Sequence, residues 1–231
     1  MSEPAAFDAC AAAYDAALNR GLSLSGESKE YFAHRRIEWL SSRLRQHGCR
    51  PMHVLDYGCG TGATARELLM HLPAASVTGV DVSADSIDLA RRHYADANVQ
   101  FSTIDEGQPA GEFDLVYCNG VFHHIEPDLR GDALAYISRA LASRGYFALW
   151  ENNPWNPGTR LVMRRIPFDR DAKTLSARHA RKLLDSAGFD IMTTDFLFVF
   201  PRPLALLRPL EPALTRVPAG AQYMVLCRKR A

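Results

Sequence analysis

The chain has 231 residues, 47% of them hydrophobic and 23% charged, with a formal net charge of +1. That length and balance describe one globular domain with a real core and leave no whole-chain electrostatic case for a nucleic-acid partner. No apolar run approaches the roughly 20 residues that span a bilayer, and MSEPAAFDACAAAYDAAL carries early acids and no basic stretch, so neither a transmembrane segment nor a secretory leader is expected.

Taken in chain order, residues 1–48 are expected to form a helical cap or lid. Its main helix covers 28–47, where Ala33, Ile37, Leu40 and Leu44 make one apolar stripe. HVLDY (53–57) reads as a first strand and 62–72 as a helix; SVTGVD (76–81) reads as a second strand. Ser83 can cap the helix that follows, with Ile87, Ala90 and Tyr94 on one face. NVQFSTI and FDLVYCN are the third and fourth strands. A helix marked by Leu134, Ile137 and Leu141 leads to the fifth strand, GYFALWE. Ser176 starts another helix and Gly188 supplies a left-handed stop. FDIMTTDFLFVF and AQYMVLCRK are two final strands with no ordinary helix between them, which fits an antiparallel pair at one edge. Strands alternating with helices predict an α/β fold: a Rossmann-like, mostly parallel sheet with helices on both faces. The alternation sets a core at 49–150. It is interrupted in 151–231 by two loops, 151–175 and 200–220. Five scattered cysteines without a CxxC pair fit reduced thiols in a cytoplasmic protein.

The chemistry concentrates in HVLDYGCGTGATA. Gly58, Gly60 and Gly62 follow the first strand, where an α/β sheet binds its ligand. The pattern also suits a dinucleotide, whose pyrophosphate would sit on the helix N-terminus. Asp56 opposes that reading, because a carboxylate two residues before the glycines would repel the phosphates with no base nearby. A ligand with an ammonium group removes the conflict. Asp81, at the end of the second strand, can accept both hydroxyls of a ribose, and Val82 can lie against a base. A nucleoside bearing an amino acid meets both demands, and S-adenosylmethionine is such a molecule.

VLDYGCGTGATA, VTGVDVSADSIDLARR and FDLVYCNGVFHHI, in that order over about residues 50–150, resemble the successive motifs of class I S-adenosylmethionine-dependent methyltransferases. The resemblance implies a seven-stranded sheet with a reversed last strand. It implies that Asp56, Gly58 and Gly60 line the methionine part of the cofactor, that Asp81 takes the ribose, and that Val82 lies against the adenine. It further implies Asp105 for the adenine amino group, Asn119 for the methionine or the acceptor, and Tyr14 and Arg35 for closing over the methionine end. The product would be S-adenosylhomocysteine. CNGV stands where methylases of DNA bases or glutamine carry an NPPY-like signature, which points to a small-molecule acceptor, in bacterial-type secondary or lipid- or sugar-related metabolism.

Methyl transfer needs alignment and, for some acceptors, a base, but no protein nucleophile. His123 and His124 are the candidate bases, with a structural or capping role as the alternative. No third ligand stands at metal spacing beside them, so no metal is expected. Glu151, Asn152, Trp155 and Arg160 open a stretch rich in Asn, Pro and Arg and are candidate acceptor contacts, with arginines suited to a carboxylate or phosphate. For the apolar 200–220 segment a flap, a homodimer face and a lipid-facing surface all stay open. An NAD-dependent oxidoreductase and a non-catalytic cofactor-binding protein are the rival readings.

Overall fold

The structure is a computed structural model and describes residues 21–22, 25–106, 109–166, 169 and 172–231. Helix α1, Lys29–Gln46, is capped by Ser28, whose side chain accepts from the Tyr31 N–H. Then come β1 His53–Tyr57, α2 Thr64–His71, β2 Ser76–Asp81, α3 Ala84–Tyr94, β3 Val99–Thr103 and β4 Phe113–Asn119. The chain continues through α4 Arg130–Ala140, β5 Leu141–Asn152, α5 Pro157–Arg165, α6 Ala177–Ser186 and β6 Phe189–Leu197. A 3-10 stretch, Arg202–Leu210, a short α7, Glu211–Leu214, and β7, Gln222–Lys229, complete it. Ser83, Asn156 and Ser176 cap α3, α5 and α6, each accepting a backbone N–H three residues on.

The seven strands form one sheet in the order β3-β2-β1-β4-β5-β7-β6. β1 to β5 pair in parallel, and β7 runs antiparallel to both β5 and β6. The two late strands thus join as an antiparallel pair, with β7 inside and β6 at the edge. The stripe of α4 stops one residue earlier than expected, since Leu141 opens β5.

Alternation along the strands sorts the core into two layers. On β4, Leu115 and Tyr117 pack with Ile37, Leu40 and Leu44 of α1 and with Leu68 and Ile87 of α2 and α3. Val116 and Cys118 point the other way, toward Leu134 and Ile137 of α4 and Leu184 of α6. The first layer sets α1 on this face of the sheet, with Arg36 reaching Tyr117 near the end of β4. Among the described residues no helix is long and apolar enough to cross a membrane.

Candidate functional site

Two groups of polar side chains stand at the carboxyl ends of the parallel strands, one on each face. The first lies under α1. Asp56, next to last in β1, shares the face of Val54 and Tyr117 and is 2% exposed. Its Oδ2 is buried and has no hydrogen-bond partner, and neither has Oδ1 of Asn119 at the end of β4. Burial, then the like charge of Asp81, push the Asp56 carboxyl up to about 7 against the opposing pull of Arg36. An unpaired buried carboxylate costs stability unless something positive meets it.

The turn beside Asp56 is shaped to let a ligand in. Gly58 has φ 75°, and a Cβ there would come within 2.3 Å of Val121. Gly60 has φ 53°, and a Cβ there would meet nothing within 4 Å, so its missing side chain leaves open space. Asp81 closes the far side. Its Oδ2 accepts from the Gly60 N–H at 2.8 Å and its Oδ1 from the Ser83 N–H at 3.0 Å. These bonds fix the carboxylate beside the turn. Val82 is half-buried beside it, and Asp105 is exposed in the turn after β3.

Tyr14 lies outside the described residues. Arg35 is placed otherwise than expected: it pairs with Glu38 along the outer side of α1. Its neighbour Arg36 is the residue that turns inward, 8% exposed, donating to the Tyr117 hydroxyl at 3.2 Å and to Gln222 Oε1 at 3.0 Å. The sequence carries a signal for this. Arg36 precedes Leu40 by four residues and so shares its helix face.

The second group sits on the opposite face. His123 Nδ1 is 2.7 Å from Glu151 Oε2, and Glu151 Oε1 accepts the Phe122 N–H at 2.8 Å. Asp169 Oδ1 stands 3.5 Å from His123 Nε2 and 3.3 Å from His124 Nε2. The expectation that the histidine pair lacks a third ligating partner therefore fails, because the fold carries Asp169 to it from far along the chain. Burial opposes the charge on His123, but the Glu151 carboxylate, with the hydrogen bonds that the imidazole donates to Asp169 and Glu151, outweighs it and raises the imidazole well above its ordinary range. Both nitrogens of His123 are engaged and its side chain is 3% exposed, so the structure places it as a residue held between two carboxylates, while His124, 15% exposed, shares Asp169 with it. Glu151, 1% exposed, likewise holds His123 and Phe122 instead of lining an open pocket.

Past β5 the other candidates separate. Asn152 Oδ1 accepts from Gln222 Nε2 at 3.2 Å, while Trp155, 60% exposed, and Arg160 face solvent. Asn153 stitches the loop instead, donating to Pro218 and Gly220 carbonyls at 3.0 and 2.8 Å.

Comparison with known proteins follows the same lines. Residues 55–147 match the model of a family described as a methyltransferase domain. Trans-aconitate 2-methyltransferase of Escherichia coli O157:H7 is 28% identical over 189 residues, 76% of this chain and 74% of that one. Malonyl-[acyl-carrier protein] O-methyltransferase of Halalkalibacterium halodurans is 32% identical over 101 residues, 41% of this chain and 37% of its own. Across curated relatives that it matches, the chain spans from 23% to 74% of their length. In fold it resembles Burkholderia thailandensis 1,6-didemethyltoxoflavin-N1-methyltransferase, whose structure holds 1,6-didemethyltoxoflavin and S-adenosylhomocysteine. The TM-score is 0.61 at 22% identity, over 100% of this chain and 92% of that one.

Proposed function

We propose that this chain, which belongs to the class I S-adenosylmethionine-dependent methyltransferases, methylates a small anionic acid. One observation carries the cofactor assignment: the buried, unpartnered Oδ2 of Asp56 beside the open space at Gly60. An ammonium group answers that need and a pyrophosphate does not, which argues against the oxidoreductase reading. In this reading Asp56 and Asn119 accept from the amino-acid end and Asp81 accepts from the ribose. Arg36, braced on Tyr117 and Gln222, closes the site from α1.

When bound, the cofactor supplies a methyl group on a sulfonium, open to in-line displacement by the acceptor. The protein's share is alignment, which can lower a barrier by about 7–11 kcal/mol. A carboxylate acceptor is already ionised at neutral pH and needs no base. That agrees with a His123 locked between Glu151 and Asp169. Trans-aconitate and malonyl-acyl-carrier protein, the substrates named in two relatives, are both acids, and the exposed Arg160 and Arg165 of α5 suit an acidic acceptor.

The test offers the purified chain isotopically labelled S-adenosylmethionine with a panel of small carboxylic acids, and with amines and phenols for comparison. Label transferred to an acid, giving a product one methylene heavier, is the expected result. Label on amines or phenols alone overturns the acceptor class. Cofactor binding without transfer to any of them favours a non-catalytic binding protein.

A further inference from the structure

Away from both polar groups, the seam between α1 and α2 brings together His34, Glu67 and His71. His34 Nδ1 lies 3.1 Å from His71 Nε2, and Glu67 Oε2 lies 3.5 Å from the first and 3.3 Å from the second. Glu67 and His71 stand one turn apart on α2, so their side chains share a face. Zinc bound to imidazole nitrogen and carboxylate oxygen at its usual bond lengths holds tetrahedral ligand atoms about 3.3 Å apart. The three separations bracket that spacing. A hydrogen bond between the imidazoles would account for the shortest alone. It leaves the Glu67 Oε2 converging on both rings, buried and without a hydrogen-bond partner.

We propose that His34, Glu67 and His71 form a binding site for a divalent transition metal of the zinc class, with the fourth position open to water. Two imidazoles and one carboxylate are a ligand set that zinc accepts and that hard oxygen-seeking cations do not favour. The side chains are 47%, 24% and 30% exposed, so an ion reaches the site from solvent. The site ties α1, the helix that carries Arg36, to α2, the helix that follows the glycine turn, and it adds to the neighbouring bond from Ser41 Oγ to the His71 carbonyl at 3.0 Å. The site stands on its own residues and does not depend on the acceptor or the cofactor assignment.

The full chain is stripped with chelator, dialysed and titrated calorimetrically with zinc chloride. One equivalent is expected to bind and to raise the melting temperature. His34→Ala and His71→Ala, checked for fold by circular dichroism, are expected to weaken binding about 100-fold or more, the share of one ligand in a few-ligand site. Glu67→Gln keeps the shape of the side chain and is expected to show the same direction of loss, while His124→Ala keeps full zinc affinity. Cobalt(II) in place of zinc should give the strong visible bands of a tetrahedral centre. No zinc uptake by the stripped chain overturns the site. So does uptake that His34→Ala, His71→Ala and Glu67→Gln leave unchanged, or uptake that His124→Ala abolishes.

Discussion

Asp56 is the residue on which binding and folding pull in opposite directions. Its carboxylate is buried without a partner for Oδ2, and burial raises its pKa, so the fold by itself favours the uncharged acid. Asp56→Asn replaces it with a neutral group of the same shape. The variant should fold with stability equal to or above the parent in chemical denaturation. It should also lose about 1.5–3 kcal/mol of S-adenosylhomocysteine affinity by calorimetry, the scale of hydrogen bonds to a charged group. A stability loss with unchanged affinity would mean that Asp56 is a core residue and not a ligand. The sequence made Asp56 legible because an acid beside a glycine turn at a strand end is an electrostatic oddity. Arg36 was harder to see: two adjacent arginines differ only in helix phase, and the neighbour on the outer face took the assignment. His123 shows the opposite limit. Its partner Asp169 lies 46 positions further on, and no spacing rule connects them.

At the scale of elements, α1 matters because it holds Arg36 over the site. The helix is pinned from its other end. Arg43 Nε and Nη2 donate to the two oxygens of Asp195 at 2.8 and 2.9 Å, and the Trp39 indole donates to Asp195 Oδ2 at 3.1 Å. Asp195 is fully buried in β6, so its removal strands a guanidinium and an indole together. Asp195→Ala should cost about 3–5 kcal/mol in denaturant unfolding, the usual effect of breaking a buried pair. Arg43→Met, which removes the charge and keeps the stem, should cost less. A loss under 1 kcal/mol for Asp195→Ala, on the scale of an exposed pair, would show that packing of Ile37, Leu40 and Leu44 holds α1 without this clamp. The strands and helices themselves were legible from apolar spacing and caps. The clamp was not, since an acid inside TTDFL reveals a buried partner without naming it.

For the whole molecule, the titrating groups set how stability follows pH and what a ligand does to it. Asp56 has a folded pKa raised from 3.8 to about 7, so the stability it contributes is present below the lower value and is lost as pH rises through the upper one. His123, also raised, contributes fully below the ordinary imidazole value of about 6.5, and that contribution is lost as pH rises from there through about 10. Asp169, held low by its histidines against burial, contributes above 3.8 and is lost only in acid. Between pH 3.8 and about 6.5, Asp56 is therefore the group among these three that changes. An amino group with an ordinary pKa of about 7.7–8.0 stays charged across that window and can take the place of its missing partner. The melting-temperature gain from saturating S-adenosylhomocysteine should then be larger near pH 7.5 than near pH 5.5. The affinity should fall toward about tenfold per pH unit on the acid side, as binding must first remove a proton. In Asp56→Asn both trends should flatten. A gain independent of pH in the parent chain would remove the ammonium from beside Asp56 and return the glycine turn to other ligands.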